Sequence, residues 1–194
     1  MTLTRNDLLS LEEYSSRRQG FKAQVVEHKK NRNVSLNKYA RLYFEDELTI
    51  RYQIQEMLRI EKVFEAAGIQ DELDAYNPLI PNGSNLKATF MLEYDDVDLR
   101  KIELGRLIGV EDQVWVQVEG FEKVYAIADE DLERENDEKT SSVHFMRFEL
   151  SEEMINTLRQ AQSLIAGCDH LNLPIAGLKL PAETVASLTE DLRS

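Results

Sequence analysis

Two residues of this chain combine titratable chemistry with apolar surroundings: Glu61 and His144. If 49–67 forms a helix at 100° per residue, Ile50, Ile54, Met57, Ile60 and Phe64 share one side, and Gln53 and Glu61 interrupt that stripe as buried polar positions. Desolvation would raise the Glu61 pKa and a nearby arginine would lower it, so the position reads either as a chemical site or as a structural ion pair, with Arg147 one candidate partner. In an extended run, His144 shares a face with Met146, Phe148 and Leu150, while Val143, Phe145, Arg147 and Glu149 take the other. Imidazole titrates near neutral pH, so a Glu61–His144 pair could move protons on a small molecule. The competing reading of His144 is a core histidine bonded to its own backbone or a neighbouring side chain.

A second constellation suits binding. If the strands pair in phase, Arg41, Tyr43, Lys87, Thr89, Trp115, Gln117 and Arg147 share one sheet face. Such a face could hold an anionic small molecule through arginine contacts and stacking, or receive a protein around a Trp115 anchor. It could equally be a solvated or helix-covered face.

Other chemistries lack a pattern. His28, His144, Cys168 and His170 have no metal-ligand spacing, and Glu56 is followed three positions later by Arg59 where a diiron bundle needs histidine. Neither a Gly-rich phosphate loop nor a Gly-x-Ser-x-Gly elbow occurs, so no reaction class is supported, and no metal or cofactor is expected. The acidic run from Asp129 to Glu138 reads as a solvated connector.

These candidates need elements to position them. Thr4/Asp7 and Ser10/Glu13 have capping-box spacing, predicting a turn and then a helix, with Gly20 separating a second helix through His28. Strands are expected at 34–36 and 39–45 around an Asn37-Lys38 turn, followed by one long central helix ended by Gly68 and a short helix through Tyr76. Further strands are expected at 86–94 and 141–150, a helix at 95–108, and a hairpin from 113–119 and 123–128 about Gly120. Ser151 caps a helix predicted to reach Ala166, 167–180 reads as a loop, and Pro181 starts a last helix. Helices interrupting antiparallel strands predict an α+β fold, a single domain over 1–194 with 151–194 a helical C-terminal extension.

The 194 residues, 42% hydrophobic and 30% charged, suit a folded globular chain. No run of about 18 apolar residues suggests a membrane span, and the acidic N-terminus does not resemble a secretory signal, so the cytoplasm is expected. One cysteine excludes an internal disulfide. A net charge of −13 opposes nucleic-acid binding, although residues 1–41 carry a local excess of +5.

The segments YQIQEMLRIEKVFE at 52–65, DELDAYNPLIPNGSNLKAT at 71–89 and VWVQVEG at 114–120, with YAIADEDLEREN and EKTSSVHFMRFEL following, closely resemble the bacterial family called domain of unknown function 3501. The resemblance covers nearly the whole chain. It brings no catalytic residues, but it implies an accessory role beside rubrerythrin and an iron-sulfur oxidoreductase, since genes for such proteins are commonly neighbours. The sequence-level expectation is therefore a soluble accessory or binding protein of that redox system. The alternative is a small-molecule enzyme using Glu61 and His144.

Overall fold

The computed structural model describes residues 2–128, 139–160 and 163–193; the acidic connector expected between Asp129 and Glu138 lies outside them. A 3-10 turn, Arg5–Asp7, precedes α1 (Leu11–Lys29), and both starts are closed by the expected capping boxes of Thr4 and Ser10. Helix α1 runs through Gly20 without a break. A mid-helix glycine costs only about 1 kcal/mol against alanine, and packing of Tyr14, Phe21 and Tyr52 edge-to-face offsets it.

Strands β1 (Asn33–Ser35) and β2 (Ala40–Glu45) form a hairpin whose turn is held by the Asn37 side chain, which accepts from the backbone N–H groups of Tyr39 and Ala40. Asp46 then caps α2 (Glu47–Glu61), accepting from the Thr49 N–H while the Thr49 hydroxyl accepts from the Asp46 N–H. This helix is shorter than expected. It ends at Lys62, which takes a left-handed conformation with φ 56°, and Gly68 falls inside the next helix, α3 (Ala66–Tyr76). The longest helix is α1, with 19 residues.

The chain continues through β3 (Asn85–Leu92), α4 (Val97–Arg106), β4 (Val114–Val118), β5 (Val124–Tyr125) and β6 (Val143–Glu149). The remainder is α5 (Glu152–Arg159), β7 (Leu164–Cys168), β8 (Ile175–Lys179) and α6 (Ala182–Thr189). The helical extension expected over 151–194 is thus corrected. The predicted loop contains a strand, and the Ser151 helix stops at Arg159, so that β7 and β8 pair where helix and loop were expected.

All strand pairs are antiparallel, and the fold is α+β. The first sheet has the order β1-β2-β3-β6 and the second β5-β4-β7-β8. Backbone hydrogen bonds exchanged by Ile127 and Arg147 join the two. One core collects Leu42, Phe90 and Phe148 from the first sheet with Val116 and Ala166 from the second, and α4, α5 and α6 add Leu104, Leu158 and Leu188. On the other side of the first sheet, a smaller core gathers Ile50, Ile54 and Leu58 of α2 with Leu73, Leu79 and Ile80, and Phe145 packs against it.

Candidate functional site

The structure separates the two titratable candidates. Glu61 is the last residue of α2 and is exposed, as is Gln53. The buried polar residues of this helix are Thr49, in its first turn, and Gln55, because α2 turns Ile50, Ile54 and Leu58 inward, while Ile60 and Phe64 stand 59% and 71% exposed. Gln55 clamps the segment ahead of α1: its Oε1 accepts from the Leu9 N–H at 2.6 Å and its Nε2 donates to the Leu9 carbonyl at 3.3 Å. A helix phase set by i, i+4 spacing of 50, 54 and 58, and an end at Lys62, remove the premise that placed Glu61 inside.

His144 is buried on the main-core side of β6, opposite Phe90 in register, with its Nε2 3.1 Å from the Thr140 hydroxyl and 3.0 Å from the Ser141 carbonyl. It is a core histidine with local partners. Helix α2 covers the opposite face of the same sheet, so Glu61 and His144 do not form a proton-transfer pair.

Four of the five binding candidates do assemble. Register places Arg41 opposite Met91, Tyr43 opposite Thr89, and Glu45 opposite Lys87, with Lys87 then opposite Arg147. Directly paired residues of an antiparallel sheet share a face, so Arg41, Tyr43, Lys87 and Arg147 line the side that α2 and α3 partly roof. Trp115 does not join them. Its indole is 1% exposed in the second sheet, lying over Gly167 and Gly177, where an added Cβ would come within 2.3 Å and 3.2 Å of the ring. Indole Nε1 donates to Asp169 at 2.9 Å, Lys123 sits 4.3 Å above the ring, and the Tyr125 hydroxyl donates to the same carboxylate. The Lys123 and Tyr125 hydrogen bonds hold the Asp169 carboxyl down at about 2. Trp115 is therefore a packed structural residue, since its one polar atom and its apolar faces are already occupied.

Under the roof lies a pocket of about 310 Å³. Its floor is Tyr43, Glu45, Thr89, Met91, Val143 and Phe145 of the first sheet. Ile50 and Gln53 of α2, Tyr76 of α3 and Leu79 close the other side, and Lys29 at the end of α1 completes the rim. The buried Glu45 carboxylate accepts from the hydroxyls of Thr49 at 2.6 Å and Thr89 at 2.8 Å. The Tyr43 hydroxyl donates to Glu93 at 2.9 Å, and Arg41 pairs with that same carboxylate at 3.3 Å. Sequence reading found the sheet side of this pocket by strand phase. It missed Glu45, which strand phase with Arg41 and Tyr43 puts on the same face, and it missed Lys29 and Tyr76, which only the packing of α1 and α3 brings there.

Next to it, at the Asn85 end of β3, is a more polar recess lined by Asn85, Lys87, Arg147 and Glu149. Glu149 accepts from Arg147 at 2.6 Å and from Asn85 at 3.0 Å. Burial raises its carboxyl, but these donors outweigh burial and the net shift is downward.

Beside the pocket, a charged network ties three elements together. The buried Arg32 guanidinium donates to the carbonyls of Phe44, Glu45 and Ser187 and to the Asp191 carboxylate, and it lies 3.5 Å from Asp46, which also pairs with His28. Burial pushes the Asp191 carboxyl up to about 6 against the pull of Arg32. The donors of Arg32 are spent on backbone and carboxylates, and the network acts as a brace among the end of α1, the start of α2 and the end of α6.

Among the described residues, no group of three or more His, Cys, Asp and Glu side chains forms a candidate metal site, and no helix is long and apolar enough to cross a membrane. Cys168, Asp169 and His170 diverge. The thiol is buried and pushed up to about 11 by that burial, Asp169 faces Trp115, and His170 contacts the Ile108 carbonyl at 3.2 Å.

A family model described as Protein of unknown function (DUF3501) matches residues 2–192. A crystal structure at 1.90 Å of a novel protein of unknown function from Burkholderia pseudomallei K96243 is 53% identical, with complete coverage of both chains and a TM-score of 0.95. None of the curated proteins matches the chain.

Proposed function

The chain belongs to the DUF3501 family, and from that footing we propose that it is an accessory binding protein which holds a small molecule between the first sheet and the α2–α3 roof. The observation that carries this reading is the pocket itself: apolar side chains from four elements enclose a space into which a few polar groups converge, the usual composition of a ligand site. The redox setting, beside rubrerythrin and an iron-sulfur oxidoreductase in the cytoplasm, rests on the family resemblance of residues 52–65, 71–89 and 114–120.

The binding face now belongs to a small ligand more than to a protein partner, because α2 and α3 cover it and Trp115 offers no exposed anchor. The enzyme reading loses its basis with the separation of Glu61 from His144. Two experiments test the proposal. Native mass spectrometry of protein purified from its own host is expected to show a bound small molecule that Met91→Trp, which fills the pocket, eliminates; retention of that molecule by the variant overturns the site. Affinity capture from the same cells is expected to recover rubrerythrin or an iron-sulfur oxidoreductase, and recovery of neither removes the redox setting while leaving the pocket standing.

A further inference from the structure

Resting on that pocket reading, we infer that the ligand is a small amphipathic monoanion, a carboxylate with a compact apolar body, whose charged end meets Lys29. Several polar groups around the pocket are already committed. Glu45 accepts hydrogen bonds from two threonine hydroxyls and has Lys87 as its cross-strand neighbour. Tyr43 gives its proton to Glu93, which also takes Arg41. Lys29 is different: the residue is half-buried, and among the described residues its ammonium has no hydrogen bond and no ion pair, although its neighbour Lys30 pairs with Glu27 in solvent. The Gln53 amide and the Tyr76 hydroxyl at the same pocket likewise have no side-chain partner among the described residues.

A cation without an ion pair, lining the same pocket as two neutral polar side chains that have no side-chain partner, favours an anion. The rest of the wall selects the other end of the molecule, because Ile50, Leu79, Met91, Val143 and Phe145 can only be satisfied by apolar atoms. Charge count limits the head to a single negative charge. Lys29 is the one cation among the residues that line the pocket and Glu45 lines it too, so a dianion such as a phosphate monoester would meet repulsion that nothing offsets. A ligand cation would instead have to compete with the threonine hydroxyls already bonded to Glu45.

Isothermal titration with three probes of equal chain length, octanoate, octanol and octylammonium, tests the inference. Octanoate is expected to bind saturably and more tightly than the neutral and cationic probes. Lys29→Gln is expected to weaken octanoate about tenfold, equivalent to about 1.4 kcal/mol, and to leave octanol unchanged, while Lys29→Arg retains binding. Thermal melting of each variant confirms that it is folded. Equal affinity for octanoate and octanol, or octanoate binding indifferent to Lys29→Gln, overturns the anionic assignment and leaves the pocket reading intact. Tighter binding of octylammonium overturns it in favour of Glu45. If no probe binds, or Met91→Trp leaves octanoate binding unaltered, the pocket reading falls and this inference with it.

Discussion

Glu56 shows how a carboxylate is fixed when its partners are in place. Arg18 reaches both of its oxygens, at 2.7 and 2.8 Å, Tyr14 donates at 2.6 Å and Arg59 at 3.3 Å. The Arg18 hydrogen bonds, helped by Tyr14 and Arg59, lower its carboxyl from 4.5 to about 2. A folded-state value below the unfolded one contributes stability that is complete above about pH 4.5 and is lost as the pH falls towards 2. With solvent screening of Arg18 taken into account, Glu56→Gln is expected to cost on the order of 2 kcal/mol at pH 7 and almost nothing at pH 2. Urea denaturation at the two pH values checks both size and sign. In the sequence Glu56 stands out only because Arg59 follows it three positions later where a diiron motif needs histidine, and periodicity points instead to Glu61, five residues on, for the interior role. The difference is partners: Tyr14 and Arg18 belong to α1, and no periodicity within α2 announces which helix will lie against it.

At the scale of elements, caps and strand phase were the legible features. Ser10 with Glu13 placed the start of α1, and the alternation of Arg41 and Tyr43 with Leu42 and Phe44 placed β2 and its outward face. Helix ends and the last hairpin were less legible. Lys62 adopts a conformation usually left to glycine, and β7 reads Leu-Ile-Ala-Gly-Cys, an apolar run that suits a buried strand or a helix end equally. Its Gly167 is nevertheless the least replaceable glycine of the second sheet. A methyl group there would lie 2.3 Å from the Trp115 ring and 2.6 Å from the Ile175 carbonyl, and the backbone carbonyl cannot swing aside. Gly167→Ala is expected to destabilise the protein by about 3 kcal/mol, seen as a lowered urea midpoint.

The whole molecule depends on its last forty residues more than their predicted helical character suggested. β7 lies between β4 and β8, and Leu164, Ala166 and Cys168 enter the same core as β2 and β3, while the Arg193 N–H donates to the Gly83 carbonyl ahead of β3. Deleting residues 163–193 is therefore expected to abolish cooperative unfolding of the entire chain, checked by circular dichroism during heating. The candidate site follows the same logic: its sheet floor was visible in strand phase, whereas its Lys29 rim and Tyr76 wall exist only through long-range packing. The glycine-floored indole of the second sheet has one more consequence. As the chain's sole tryptophan, shielded from water on every side, it makes the protein's intrinsic fluorescence a local gauge: emission should resist an aqueous quencher until β7 and β8 part, and stay silent when a ligand settles against the other sheet.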